Sequence, residues 1–201
     1  LGQIAAEELI LCNDNKNDQR PIAIIGKDTR RSGDMLESAL SAGLNSAGID
    51  VKTGGVIPTP AVALLVKETN ADLGVVISAS HNAPPDNGIK FFFNDGYKLS
   101  SEQEDRLEKK ILSEQPITVR ATGEKIGRTT PLVSSIETYV SKITGLFIKE
   151  TSDKPLSGMR ITLDAANGAS YETSQRILES LGADLVCHFN APDGDNINLE
   201  C

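Results

Sequence analysis

Several large functional classes need residues or patterns that this chain has little of or lacks. Its three cysteines, Cys12, Cys187 and Cys201, are odd in number, widely spaced and without a CxxC pair. That spacing argues against a disulfide framework or a cysteine zinc site, and reads as three core or incidental thiols in a reducing cytoplasm. Basic residues are outnumbered, 20 lysines and arginines against 28 aspartates and glutamates, for a net charge of −8. Such a balance builds no broad basic face, so neither nucleic acid nor an anionic membrane surface is an expected partner. No apolar run approaches the roughly 18 to 20 residues that cross a bilayer. No basic leader opens the sequence at Leu1-Gly2-Gln3-Ile4, so no signal peptide is expected, and the missing initiator methionine suggests further residues upstream. The GxxxxGK[ST] phosphate loop, the GxGxxG fingerprint and the GxSxG elbow are all missing. His81 and His188 are the only histidines, too few and too poorly spaced for a Ser-His-Asp triad at an adjacent serine.

What the 201 residues do contain is a 39% hydrophobic content, enough for one large or two small domains with a real core. Leu1 to Leu11 reads as a helix. Pro21 to Gly26 is a compact β-branched run, the pattern of a strand buried on both faces. Ser32 is placed to N-cap a helix carrying Met35, Leu36, Leu40, Leu44 and Ala47, which Gly48 ends. Val51 to Val56 is a second strand, Pro58 to Thr69 a second helix with Pro60 in its first turn, and Leu73 to Ile77 a third strand. Ile89 to Phe93 alternates and meets the hairpin signal Asp95-Gly96. A charged helix runs from Ser101 to Ser113, a weakly patterned excursion from Gln115 to Thr130, and a further helix from Pro131 to Ile148. This rhythm predicts an α/β fold: a mixed, mostly parallel sheet sandwiched by helices over residues 1–150. Thr151 to Gly158 is breaker-rich and reads as a linker. Beyond it a strand (Met159 to Leu163), a helix (Tyr171 to Leu181) and a strand (Asp184 to Phe189) restart the rhythm. Residues 151–201 are therefore expected to be the linker and the incomplete start of a second, similar α/β domain.

Chemistry concentrates between Ser78 and Lys90. Polar, turn-forming residues follow a buried strand there, at the carboxyl edge of a sheet where ligands gather in open α/β folds. A serine on such a loop is a candidate nucleophile or phosphate carrier, and Ser80 is favoured over Ser78, which can simply finish the strand. His81 either partners that serine or hydrogen-bonds the loop backbone. Lys90 offers a point charge for phosphate and a possible proton shuttle, or is a solvated strand lysine between the core-facing Ile89 and Phe91. Arg30 approaches an anionic substrate, pairs with Asp28 or sits as a helix-end residue. Asp28 and Asp34 read as helix N-terminal dipole partners, and Asp164 as turn chemistry before a helix starting at Ser170.

The run Ser78 to Leu99 resembles the phosphoserine loop of the α-D-phosphohexomutases. Gly26 to Gly33, Pro58 to Ala61, Asp164 to Ala169 and Ala191 to Asn198 are also similar to that family, in family order. The resemblance is nearest to bacterial members that interconvert glucosamine 6-phosphate and glucosamine 1-phosphate for cell-wall precursors. It implies that Ser80 carries a phosphoryl group, donates it to a hexosamine phosphate and recovers another from a sugar bisphosphate intermediate. It further implies that Mg²⁺ binds the phosphate on Ser80 together with an Asp-rich loop of the second domain. By the same resemblance Lys90 assists proton transfer, His81 contacts the phosphoserine or substrate, and Arg30 lies near the substrate phosphate. Metal, Lys90 and Arg30 would then supply the local positive field that an acidic protein needs for an anion.

Three departures stand out. Ala83 occupies a position where the family usually has proline, with Pro84 and Pro85 following. The family's early Arg-bearing segment is not found before Leu1, and its metal loop, sugar-recognition loop and last phosphate-binding domain are not found before Cys201. The chain is thus expected to hold the nucleophile without the rest of the site and to be inactive alone. A mutase for a non-amino hexose phosphate, or a non-catalytic α/β binding module, are the alternatives; oligomeric state is not readable.

Overall fold

A β-branched segment with no polar interruption has nowhere to go but the middle of a sheet, and that is where Ile22–Lys27 lies. The computed structural model describes residues 1–11, 20–113, 118–148 and 154–201. Cys12, part of the expected excursion and part of the expected linker fall outside them. The helices are α1 (Gly2–Ala5, continued as a π-helical turn Ala6–Leu11), α2 (Gly33–Ser46), α3 (Thr59–Glu68), α4 (Ser101–Leu112), α5 (Ser135–Ile148) and α6 (Tyr171–Ser180). The strands are β1 (Ile22–Lys27), β2 (Asp50–Val56), β3 (Leu73–Ile77), β4 (Ile89–Phe93), β5 (Thr129–Pro131), β6 (Arg160–Asp164) and β7 (Asp184–His188).

One five-stranded sheet has the order β4-β3-β1-β2-β5, parallel except for β4, which runs antiparallel to β3. The strand period of two sorts the apolar residues onto its two faces. Ala23, Ile25, Leu73, Val75 and Phe91 meet residues of α1, α2 and α4, including Ile4, Leu44 and Leu107. Ile24, Val76 and Phe92 meet α3 and α5 through Val62, Leu65 and Tyr139. The sheet is therefore sandwiched between two helical layers, the architecture expected from the alternating pattern.

A second, two-stranded parallel sheet pairs β6 with β7 across the crossover helix α6, and α6 packs on α5. The expected strands and helices recur within a few residues, with two differences. β5, a three-residue exposed edge strand straddling the end of the expected excursion, is too short and polar to show an apolar period. Its last residue is Pro131, so α5 begins at Ser135, four residues later than the expected start. The Asp95-Gly96 signal does form a tight turn: Gly96 has φ 80°, and Tyr97 O accepts from Phe93 N at 2.9 Å.

The topology makes a crevice. From β1 the chain turns through α2 to β2 on one side, and from β3 it turns to β4 on the other. The helices α2 and α3 that follow β1 and precede β3 lie on opposite faces of the sheet, so the carboxyl edge between β1 and β3 is a topological switch point, where open α/β sheets leave room for ligands.

Candidate active site

Ser80 lies in the loop joining β3 to β4. The loop is closed at its base where Ser78 N donates to Gly88 O at 2.8 Å. At its head Ser80 adopts a left-handed backbone, φ 57°, and is exposed. A non-glycine residue there carries a cost of about 1–3 kcal/mol and persists only where its surroundings impose it. Those surroundings are visible. Ser78 Oγ accepts from Ser80 N at 3.0 Å. Arg30 reaches in from the loop after β1, its Nη2 donating to Ser80 O at 3.2 Å and Asn82 O at 2.9 Å, and its Nη1 to Ala83 O. From the second unit, Asn198 Nδ2 donates to the same two carbonyls, Ser80 O at 2.8 Å and Asn82 O at 3.0 Å. Ser32 Oγ bonds Asn87 Oδ1 at the far side of the loop.

With its backbone held in this way, Ser80 lines a cleft of about 440 Å³ between the two units, within the size range of small-molecule sites. Ser78 and His81 line it from the first unit, Asp164 to Ala166 and Asn198 from the second. His81 is exposed and makes no hydrogen bond among the described residues, so its imidazole is not engaged by the loop backbone. Two helix N-termini open onto the same cleft: α3 through Pro58 to Pro60, and α6 through Gly168 to Ser170. Neither is capped by a side-chain hydrogen bond. Pro60 carries no N–H and the amides of Ala61 and Tyr171 are already used locally, but the positive dipole ends of both helices favour an anion, which gives an acidic chain a locally receptive site for phosphate.

The other expected site residues are placed differently. Arg30 is 4% exposed, and it is not among the residues lining the cleft. Its Nε pairs with Asp28 Oδ2 at 2.9 Å and its remaining nitrogens go to the Ser80 loop, so it acts on the serine through the backbone and not on a substrate phosphate directly. Lys90 is the second residue of β4, opposite Val76, half-buried, on the same side of the strand as Phe92, and does not line the cleft. Ser32 stands at the N-cap of α2, but its hydroxyl serves Asn87 instead of the helix. Asp34 lies in the first turn of α2 and pairs with Lys27 at 2.7 Å. Burial opposes the charge on Lys27, yet Asp34 and Glu37 together raise its pKa above the ordinary lysine value. Asp164 Oδ1 accepts from Ala166 N at 2.8 Å, a local turn ahead of α6, as its sequence suggests.

Among the described residues no group of three or more His, Cys, Asp or Glu side chains is placed to hold a metal ion. Asp28 is committed to Arg30 and Asp164 to a backbone amide. These residues by themselves do not make a Mg²⁺ site. Among the described residues no helix is long and apolar enough to cross a membrane.

Asn198 is the residue gripping the serine loop that sequence reasoning did not single out. It belongs to a stretch noted only for resemblance, and its φ of 59° is a conformation that asparagine tolerates better than most residues. That tolerance was the one available signal.

The layering and the strained serine define an α/β/α protein with an anion-receptive cleft at the carboxyl edge of its sheet. Residues 4–118 match the family model for phosphoglucomutase/phosphomannomutase, alpha/beta/alpha domain I, and the chain belongs to that family. The phosphoglucosamine mutase of Carboxydothermus hydrogenoformans is 48% identical over 178 residues, 89% of this chain and 39% of that protein. That of Alkaliphilus oremlandii is 46% identical over 201 residues, 100% of this chain and 43% of that protein. The crystal structure of a phosphoglucomutase/phosphomannomutase family protein from Burkholderia thailandensis superposes with a TM-score of 0.77 at 26% identity, over 100% of this chain and 40% of that one. The chain thus spans about two fifths of the length of the relatives it matches.

Proposed function

We propose that this chain carries the phosphoserine site of a phosphoglucosamine mutase, an isomerase acting on glucosamine 6-phosphate and glucosamine 1-phosphate in the cytoplasm and supplying cell-wall precursor synthesis. One observation carries the reading: Ser80 is held in a strained backbone, exposed in a cleft that two helix N-termini make receptive to phosphate. In the forward direction the phosphorylated Ser80 presents its phosphorus to a free hydroxyl of the bound sugar monophosphate. The Oγ–P bond breaks as the new P–O bond forms, the sugar hydroxyl loses its proton, and the serine oxygen is reprotonated. The bisphosphate turns over in the cleft and returns its other phosphoryl group to Ser80. Positioning and charge neutralisation carry most of such a reaction, which suits a rigid loop facing N–H donors.

His81 lies beside Ser80 in the cleft and is the proposed partner of the phosphate. Lys90, two residues past the loop closure at Gly88, is the proposed proton shuttle; a flexible four-carbon stem is what would carry its ammonium the remaining way. Mg²⁺, when bound, would neutralise phosphoryl oxygens, with the phosphate on Ser80 as the one ligand proposed from the described residues. The relatives named phosphoglucosamine mutase support the amino sugar as substrate.

Intact mass of the full-length protein, before and after exposure to a hexosamine bisphosphate, tests the reading. A gain of one phosphoryl group that Ser80→Ala abolishes, with loss of mutase turnover, is the expected result. Turnover that survives Ser80→Ala overturns the assignment, and a preference for a non-amino sugar phosphate overturns the substrate.

A further inference from the structure

The carbonyls of Ser80 and Asn82 each receive two donors, one from each unit. Arg30 Nη2 comes from beneath the sheet edge, and Asn198 Nδ2 from the loop that follows β7. A carbonyl oxygen has two lone pairs, so each is fully used. Asn198 is itself anchored: its backbone N donates to Ala166 O at 2.9 Å, and both residues have left-handed backbones, φ 59° and 48°. Asn167, also at φ 48°, accepts the Thr29 hydroxyl at its carbonyl and binds Ala191 N at 3.1 Å through its side chain. A chain of strained residues in the second unit therefore ends on the carbonyl of the strained serine in the first.

We infer that Asn198 is a positioning residue for Ser80, the element through which the second unit sets the orientation, and hence the phosphoryl-transfer competence, of the serine. Arg30 alone cannot do this, because it moves with the first unit and fixes the loop only from one side. When Asn198 withdraws, the two carbonyls lose one donor each, and the left-handed turn at Ser80 loses the part of its support that comes from the second unit. The inference rests on the proposed phosphoserine function.

The test is the rate at which a hexosamine bisphosphate loads phosphate onto Ser80 in the full-length protein, read by intact mass and followed from pH 8 to pH 5.5. Two variants separate donor from backbone. Asn198→Gly retains the left-handed conformation and deletes the donor; Asn198→Asp retains shape and conformation but turns an acceptor toward two carbonyls. Both are expected to load about tenfold or more slowly, with the KM for sugar phosphate nearly unchanged. In Asn198→Asp the loading rate, relative to the parent protein, should recover as the pH falls, because a protonated carboxyl donates to a carbonyl and carbonyl contacts favour that neutral form. A purely structural role would not give that pH signature. If both variants load as fast as the parent protein, or if Asn198→Asp is slow without recovery at low pH, the positioning role is overturned. If the parent protein itself never loads, it is the phosphoserine reading that fails.

Discussion

Arg30 and Asp28 form an ion pair whose side chains are 2% and 3% exposed. Removing one member of such a pair leaves the other charge buried without compensation, a loss of about 3–5 kcal/mol. Arg30→Ala is therefore expected to lower the free energy of unfolding in urea by that order, whereas Asp28→Asn combined with Arg30→Met should cost clearly less than Arg30→Ala alone. Equal losses in the two proteins would mean that the carbonyl contacts, and not the charge pair, dominate at this site. Arg30→Lys should rescue little, since one ammonium cannot reach Asp28 and three loop carbonyls as a planar guanidinium does. At this scale the sequence was partly legible. Ser80 and His81 stand out because a polar, turn-forming run follows a strand with no exposed residue. The pairing of Arg30 with Asp28 was one of three open readings. Its grip on Ala83, 53 positions away, depends on β1 and β3 being neighbours, which no local pattern encodes.

Gly88 shows what the β3–β4 connection requires as an element. A Cβ at this position would lie 2.7 Å from Ser78 O, a backbone atom that cannot rotate away. The same two residues make the hydrogen bond that closes the serine loop. Gly88→Ala must open that base, and overpacking of this kind costs about 1–3 kcal/mol. Thermal unfolding should fall by several degrees, and loading of Ser80 should slow, with the KM for sugar phosphate less affected. Unchanged melting and loading would show that the loop base gives way freely. The elements themselves were legible in proportion to their burial. β1 and β3 lie in the middle of the sheet and read directly from continuous apolar runs. Lys90 was expected between core-facing Ile89 and Phe91, and the pleat does put both against the α1, α2 and α4 layer. β5 escaped because an exposed three-residue edge strand is fixed by its partner β2 and not by its own side chains.

At the scale of the whole molecule, the two units meet through exposed ion pairs that water can compete with, beside the apolar packing of Ile177 of α6 on the α3–α5 layer. Arg31 pairs with Asp195, and Arg176 of α6 pairs with Glu137 of α5 at 3.1 Å. The hydrogen bond from Arg31 holds Asp195 below the ordinary aspartate range. Glu137 is likewise held low, first by a backbone hydrogen bond within its own residue and then by Arg176. Both carboxyls therefore titrate lower in the folded chain than when free, so their contribution is complete above the free carboxylate range and is lost as the pH falls through the lowered folded values. Both pairs are exposed, and added salt weakens such pairs at any pH. If these pairs dominate the contact between the units, Asn198 reaches the Ser80 loop only while they hold. X-ray scattering should accordingly show the chain expanding as pH drops below roughly 4, the free carboxylate range, before its secondary structure melts. Raising salt at neutral pH should speed hydrogen exchange in residues 78–88. Asp195→Asn together with Glu137→Gln should remove most of the pH dependence while leaving the first unit folded. If scattering and exchange respond to neither salt nor acid until global unfolding, the ion pairs are bystanders, and the apolar packing of α6 on α5 holds the second unit against the serine loop.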